Sequence, residues 1–594
     1  MNSMHRSSRS TPSLLRGSLA LALALTVPAA CGDDGPAGET EAGETEAGET
    51  TEDPALEHLV FLSPEDHLVR VSMALRGVRP SLAELDAVAA DPDALGGIVD
   101  EYLETPEFGR TIRDMHNESL LSRVDFAIPP AGFLPKGAIA GENLYDLNVS
   151  VMDAPLRLIE HVVLNDKPYS EIVTANYTLA DGVAATVWGL PYDGDGDSWE
   201  LSSWPADRGN AGILSDSWLF QRHSSTIANA NRGRANMISR ALLCQDFLSR
   251  DIEIDAGVNL ADANEVADAV RVNPTCVSCH QTLDPLASFF SGYFPEILPQ
   301  VEPYPIDFYI GNLFFDVYGV NMRDPNYYGA AGETLGDVGA FIANDPRFSL
   351  CAVRRFYGYF HQLPIADVPQ DTVYSLQRSF IDSGLDAKAL IRDIVLADAY
   401  RVSHAEAPEG EEPPELPPGL GLKKLRPVQL AALVDELTGV QWRADVSDFG
   451  FGTIDLVEDG FVGFNVLAGG IDGYFVTHPM HTYNPTASLV LRTIASDAAN
   501  YVVEHDYAIP DAERDQRRLL TEVGLQDTSE AAVRSQIVHL HARVLGERVA
   551  PDSREVDETL ELYAAAYADG GNLTNRAWKV VIAAMLQDIK VAFF

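Results

Sequence analysis

Cys276-Val277-Ser278-Cys279-His280 carries the most specific chemistry in this chain. Thiols three positions apart are separated by about one helical turn, so both can project from one side of a helix. Each can then add to a vinyl group of a porphyrin while the adjacent imidazole reaches iron, which is how a c-type haem is attached. The chain has only five Cys and 14 His, so a complete C-x-x-C-H is not a frequent accident. Two other readings fit two close thiols: a strained local disulfide, or half of a zinc site. Zinc requires a second C-x-x-C or a His pair, and neither lies nearby in the sequence. The spacing therefore predicts haem c bound covalently through Cys276 and Cys279, with His280 as proximal iron ligand. Met322 has a suitable separation for the sixth position, with His223 and His361 as alternatives. A thioether there favours the reduced state, whereas a second imidazole lowers the potential.

Other motifs carry less. Asp193-Gly194-Asp195-Gly196-Asp197 sets carboxylates at alternate positions, as a calcium loop does. Ser198 and Trp204 stand where that loop needs Gly and Glu, so the stretch reads as an acidic surface turn rather than a calcium site. His478-Pro479-Met480-His481 offers a His pair, but Pro479 and the Gly-rich surroundings indicate a loop. No nucleophile elbow, phosphate loop or H-E-x-x-H zinc motif is found, and no catalytic residue is assigned.

The elements that must position the thiols are helices. Ser63-Pro64-Glu65-Asp66 reads as a cap, a first-turn Pro and an acidic residue, followed by Leu68, Val71 and Leu75 on one face and Gly77 at the end. Ser81 caps a second helix with Leu82, Leu85 and Val88 inward. A third runs from about Ala94 to Leu103, and Pro106 is read as a break before a helical pattern at 110–121. Residues 125–210 read as looser, and helices alternate with long loops around the haem motif from 212 to 399. After a Pro/Glu-rich linker, helical patterns recur at 426–438, 487–502, 529–545 and from 575 onward. The expected class is mainly α, with several helical domains around a cytochrome c-like C-x-x-C-H module and long irregular loops. Its expected segments are 1–31 (signal), 32–56 (tether), 57–205 (N-terminal helical domain), 206–404 (haem module), 405–420 (linker) and 421–594 (C-terminal helical domain).

The first segment reads as an export signal: Arg6, Arg9 and Arg16, then an apolar run from Leu19 to Val27. It ends in Pro28-Ala29-Ala30-Cys31-Gly32, similar to a lipoprotein cleavage box in which Cys31 is acylated. Pro28 departs from the aliphatic residue usual there, and cleavage after Ala29 is the alternative. The Gly-Glu-Thr-Glu-Ala repeat that follows is acidic and lacks large apolar groups, so it is expected to stay unfolded. Export leaves Cys244 and Cys351 as the remaining thiols, candidates for one disulfide or for two separately buried side chains. With 42 Lys+Arg against 88 Asp+Glu, the chain carries a net charge of −46. That charge disfavours nucleic acid and anionic lipid surfaces, and it suits a redox partner with a basic patch. Membrane contact is expected through the N-terminal lipid alone.

Several stretches together match a known pattern. Thr105-Pro106-Glu107-Phe108-Gly109-Arg110, then Leu164-Asn165-Asp166-Lys167-Pro168-Tyr169 through Thr178, then Ala211-Gly212-Ile213-Leu214-Ser215, Arg232-Gly233 and Leu242-Leu243-Cys244 lead into the haem motif and Asp284-Pro285-Leu286. In these the chain resembles multidomain envelope proteins of planctomycetes and myxobacteria, built of uncharacterised helical domains around a c-type cytochrome motif. The resemblance covers most of residues 60–400 and is weak beyond. Two positions depart from it: Asp216, where relatives often carry His, and Ala287-Ser288-Phe289-Phe290, where they continue with Gly and an acidic-aromatic run. The resemblance implies a cytochrome-like role and supplies no substrate. The expected function is a periplasmic or cell-surface lipoprotein at the outer membrane, with covalent haem for electron transfer. A haem-dependent envelope oxidoreductase and a haem-free structural or ligand-binding protein are the alternatives.

Overall fold

The computed structural model describes residues 58–124, 139–206, 208–223, 225–226, 229–249, 257–293, 307, 309, 311, 322–407, 410–449, 452–460 and 462–594. The expected signal, Cys31 and the acidic tether lie outside them. The described chain is mainly helical, with short strands.

Its first helices follow their caps. Ser63 accepts the Asp66 amide at 3.1 Å and Pro64 opens α1 (Pro64–Arg76), which Gly77 ends at φ +70°. Leu68, Val71 and Leu75 are fully buried, as the apolar face requires. Ser81 and Glu84 close a reciprocal capping box on α2 (Leu82–Ala90), and α3 spans Ala94–Tyr102. Pro106 is not a break but the first residue of α4 (Pro106–Leu120), capped by Thr105. A first-turn Pro loses nothing, because its missing N–H has no intrahelical acceptor there.

Residues 143–164 depart from the loose reading. Asn143 caps a 21-residue helix, α5 (Leu144–Leu164). Asn148, Ser150, Asp153 and Pro155 weaken its local propensity, so tertiary packing decides. Asp153 sits almost wholly buried between α4 and α5, 2.7 Å from both Arg113 and Arg123 and 3.2 Å from Arg157. Burial alone would raise its carboxyl, but the guanidiniums hold it well below the ordinary carboxylate range.

Short α6 (Glu171–Thr174) and α7 (Gly182–Trp188) precede α8 (Arg232–Leu243), α9 (Ala263–Val272) and α10 (Pro274–Ser288), which contain the haem motif. Then come α11 (Leu335–Ala343), α12 (Pro346–His361), α13 (Gln370–Asp382), α14 (Ala387–Leu396) and α15 (Asp398–Arg401). Among the described residues the strands form two-stranded antiparallel ribbons: β1 (Leu59–Phe61) with β6 (Val402–Ala405), β2 (Tyr177–Ala180) with β3 (Glu200–Ser203), β4 (Asn326–Tyr327) with β5 (Ala330–Ala331), and β7 (Arg443–Asp445) with β8 (Thr453–Asp455). The 211–215 motif is a tight 3-10 turn. Gly212 holds φ +54°, and a Cβ there would lie 2.0 Å from the Ile172 carbonyl oxygen. Only Gly fits that approach.

The C-terminal helices are α16 (Pro427–Thr438), α17 (Pro485–Ala508), α18 (Glu530–Leu540), α19 (Arg554–Asp569), α20 (Thr574–Met585) and α21 (Ile589–Ala592). The apolar pattern did not reveal α19, of which only Val556 and Tyr563 are buried. A continuous cluster of buried residues runs from Leu68 to Ala592. The Gln429 side chain on α16 donates to the Met73 carbonyl on α1 at 3.1 Å, and Lys423 and Phe594 exchange backbone hydrogen bonds.

Candidate haem-attachment site

Local sequence sets up the thiols. The Asn273 side chain accepts the Thr275 amide at 3.1 Å and Pro274 takes the first helical position, so α10 begins just ahead of Cys276. Cys276 and Cys279 then fall on successive turns of one side. Both are half-buried and neither is bonded to the other. The other described cysteines are paired: a Cys244–Cys351 disulfide joins the C-terminal end of α8 to α12, with Cα atoms 5.3 Å apart. Helices α8 and α9 both pack on α10.

The ring of His280 is held from within its own helix. Its Nδ1 lies 2.7 Å from Oδ1 of Asp284, one turn on. Asp284 is buried and is clasped by Arg232 of α8, with Nε at 2.7 Å from Oδ1 and Nη2 at 3.0 Å from Oδ2. Arg323 adds a looser approach at 3.8 Å, while its backbone amide donates to Ser288 at the end of α10. Burial pushes the Asp284 carboxyl up, but hydrogen bonds from His280 and Arg232 and their charges hold it below its ordinary value. An ionised carboxylate only accepts, so Nδ1 carries a proton and Nε2 is the nitrogen left to face a ligand. Among the described residues Nε2 of His280 has no hydrogen-bond partner.

The candidate sixth ligands are dispersed. Met322 is buried against Ala230, beside the Arg323 that approaches Asp284. His223 lies ahead of α8, where Arg234 donates to its carbonyl at 3.1 Å, two residues from Arg232. Among the described residues its buried Nε2 has no hydrogen-bond partner. Burial, and then the charges of Arg222, Arg240 and Arg234, push its imidazole down to about 3, so the ring is neutral. His361 stacks on Tyr357 with ring centroids 3.9 Å apart and its Nδ1 faces the Gly419 carbonyl at 3.0 Å. None of these partners belongs to α10. Asp216 is buried and accepts the Trp218 amide at 2.8 Å, and burial raises its carboxyl to about 8.

The other sequence motifs make local hydrogen bonds. Asp195 accepts the Ser198 amide at 3.1 Å within a turn. Thr477 and the His478 ring hydrogen-bond each other at 3.0 Å, and the Met480 carbonyl accepts from Lys424. A cleft of about 510 Å³ opens between α4, α5 and the 426–494 region, lined by Arg113, Asp153, Trp442 and Glu458 among others. The haem motif does not line it.

The signal that sequence reasoning left unused is the four-residue step from His280 to Asp284, which on a helix places the two side chains together. Arg232 had no such local signal, because its contact crosses 52 residues.

Among the described residues no three His, Cys, Asp or Glu side chains converge as a metal-binding group. Two thiols and an imidazole that do not share a focus fit separate attachment to a porphyrin edge and its iron better than a four-donor zinc centre. Comparison with known proteins finds no family model, no curated protein and no solved structure that matches the chain.

Proposed function

We propose that this chain is an exported lipoprotein that binds haem c covalently and passes single electrons. The observation that carries the reading is the division of labour among the described cysteines. Cys244 and Cys351 are joined, while Cys276 and Cys279 stay free, one turn apart, beside a histidine whose Nδ1 is held by Asp284. Cys276 and Cys279 would hold the porphyrin and His280 the iron. When bound, the group supplies a one-electron couple whose potential the ligands set.

For the sixth position His223 is favoured over Met322. Among the described residues its Nε2 is a buried ring nitrogen without a hydrogen-bond partner, which is costly unless something absent satisfies it; His361 Nε2 shares that property, whereas Met322 packs against Ala230. The acidic surface supports a redox partner with a basic docking face. The envelope location rests on the N-terminal sequence, and among the described residues no helix is long and apolar enough to cross a membrane.

The test is the protein exported by a host with c-type maturation machinery. Acid-acetone extraction followed by mass spectrometry should leave haem mass on the peptide containing Cys276 and Cys279. Unmodified thiols, or a Cys276–Cys279 disulfide, would reject the proposal. The same ferric sample reports the sixth ligand, because a thioether gives a near-infrared-edge absorbance that a second imidazole does not.

A further inference from the structure

We infer that Asp284 is a positioning residue for the iron ligand: its carboxylate fixes the His280 tautomer and makes the imidazole a stronger donor through Nε2. The inference rests on the haem reading above. Its observations are independent of the cysteines.

Three features of the contact matter. Asp284 comes from the same helix as His280, so the pair is set by one turn of backbone and cannot drift apart without bending α10. The carboxylate is buried, with its side chain 1% exposed, so water does not compete for the Nδ1 proton. Arg232 and Arg323 approach the same carboxylate from α8 and from the segment after residue 321, which fixes its rotamer. Pro285 follows directly, and its missing N–H leaves the Gln281 carbonyl without its intrahelical partner. The helix is therefore weakest just beyond Asp284, and the Arg232 contact pins that point to α8.

A histidine bonded through Nδ1 to a backbone carbonyl is only weakly polarised. A buried carboxylate draws the Nδ1 proton further and gives the ring more anionic character, which strengthens donation from Nε2 and stabilises the oxidised metal. Arg232 grips both oxygens of that carboxylate. The arrangement predicts a lower potential than the same haem with a neutral partner at position 284.

The test uses the full, haem-loaded chain and the variants Asp284→Asn and Asp284→Glu. In Asp284→Asn the midpoint potential should rise and the iron–histidine stretching frequency, read by resonance Raman after carbon monoxide photolysis, should fall. Asp284→Glu should restore part of both shifts. If Asp284→Asn does not fold, the wild type alone decides: its stretching frequency should exceed that of a reference haem c whose ligand histidine is bonded to a backbone carbonyl. A haem-loaded variant that loses thermal stability with both readouts unmoved would overturn the inference, as would a wild-type frequency no higher than the reference. A wild type with no covalent haem would instead overturn the haem reading, and this inference with it.

Discussion

Single side chains in this protein hold charge states that folding imposes. His116 on α4 is buried, with Nδ1 2.7 Å from the Ile112 carbonyl and Nε2 2.8 Å from the Tyr169 hydroxyl. That pattern needs Nδ1 protonated and Nε2 bare, so the neutral ring is satisfied at both nitrogens. Burial, opposed only in part by the Ile112 hydrogen bond, lowers its pKa to about 4, and His67 is lowered to about 4 in the same way. In the unfolded chain both titrate near 6.5, so below that pH the unfolded state binds more protons than the folded one. Stability is therefore fully present above about pH 6.5 and is lost as the pH falls toward 4, by on the order of 3 kcal/mol for such a histidine. His116→Gln should cost stability at pH 7 and flatten the dependence between pH 6.5 and 4. Urea midpoints across that range check it, and an unchanged slope would mean that His116 does not carry the linkage. At this scale the sequence was most legible where chemistry and spacing coincide. The thiols and His280 stand out by type, whereas the partners that hold His280 do not: Arg232 arrives from another helix, and the orphan nitrogen of His223 shows only once burial is known.

Elements were legible where their caps are. Ser63, Ser81 and Thr105 each start a helix through a side-chain hydrogen bond to a first-turn amide, and such local signals survive in the sequence. Two long helices escaped for opposite reasons. Helix α5 carries polar residues and Pro155 where a helix prefers neither, and it is held by the Asp153 ion pairs to Arg113 of α4 and to Arg123 just beyond it. Helix α19 is so exposed that its apolar stripe is too thin to read. The disulfide joins elements in a different way. By fastening α8 to α12 across 107 residues, it holds in place the helix whose Arg232 clasps Asp284. Closing a loop of that size stabilises by roughly 4–5 kcal/mol in the chain-entropy model. Paired Cys244→Ser and Cys351→Ser replacements should lower the unfolding midpoint by a comparable amount, and non-reducing peptide maps of the wild type should show the linked pair. Free thiols in those maps, or an unmoved midpoint, would count against it.

At the scale of the whole molecule the charge is the governing fact. A net charge of −46 sets the chain against anionic lipid head groups, with a repulsion that ordinary salt screens beyond about 8–10 Å. Its described helices offer no span of their own. On the proposed lipoprotein reading, membrane association comes from the N-terminus, where Cys31 follows a short apolar run and precedes an acidic, Gly-rich repeat. The repeat is acidic and lacks large apolar side chains. Acylation supplies about 0.8 kcal/mol for each buried methylene, so one chain holds weakly and two hold firmly. Cys31→Ser should therefore move the protein from the membrane fraction to the soluble fraction, without loss of haem or change in its spectrum. Retention in the membrane at low salt with release at high salt would point to an electrostatic partner instead. Retention at both would place the anchor elsewhere in the chain.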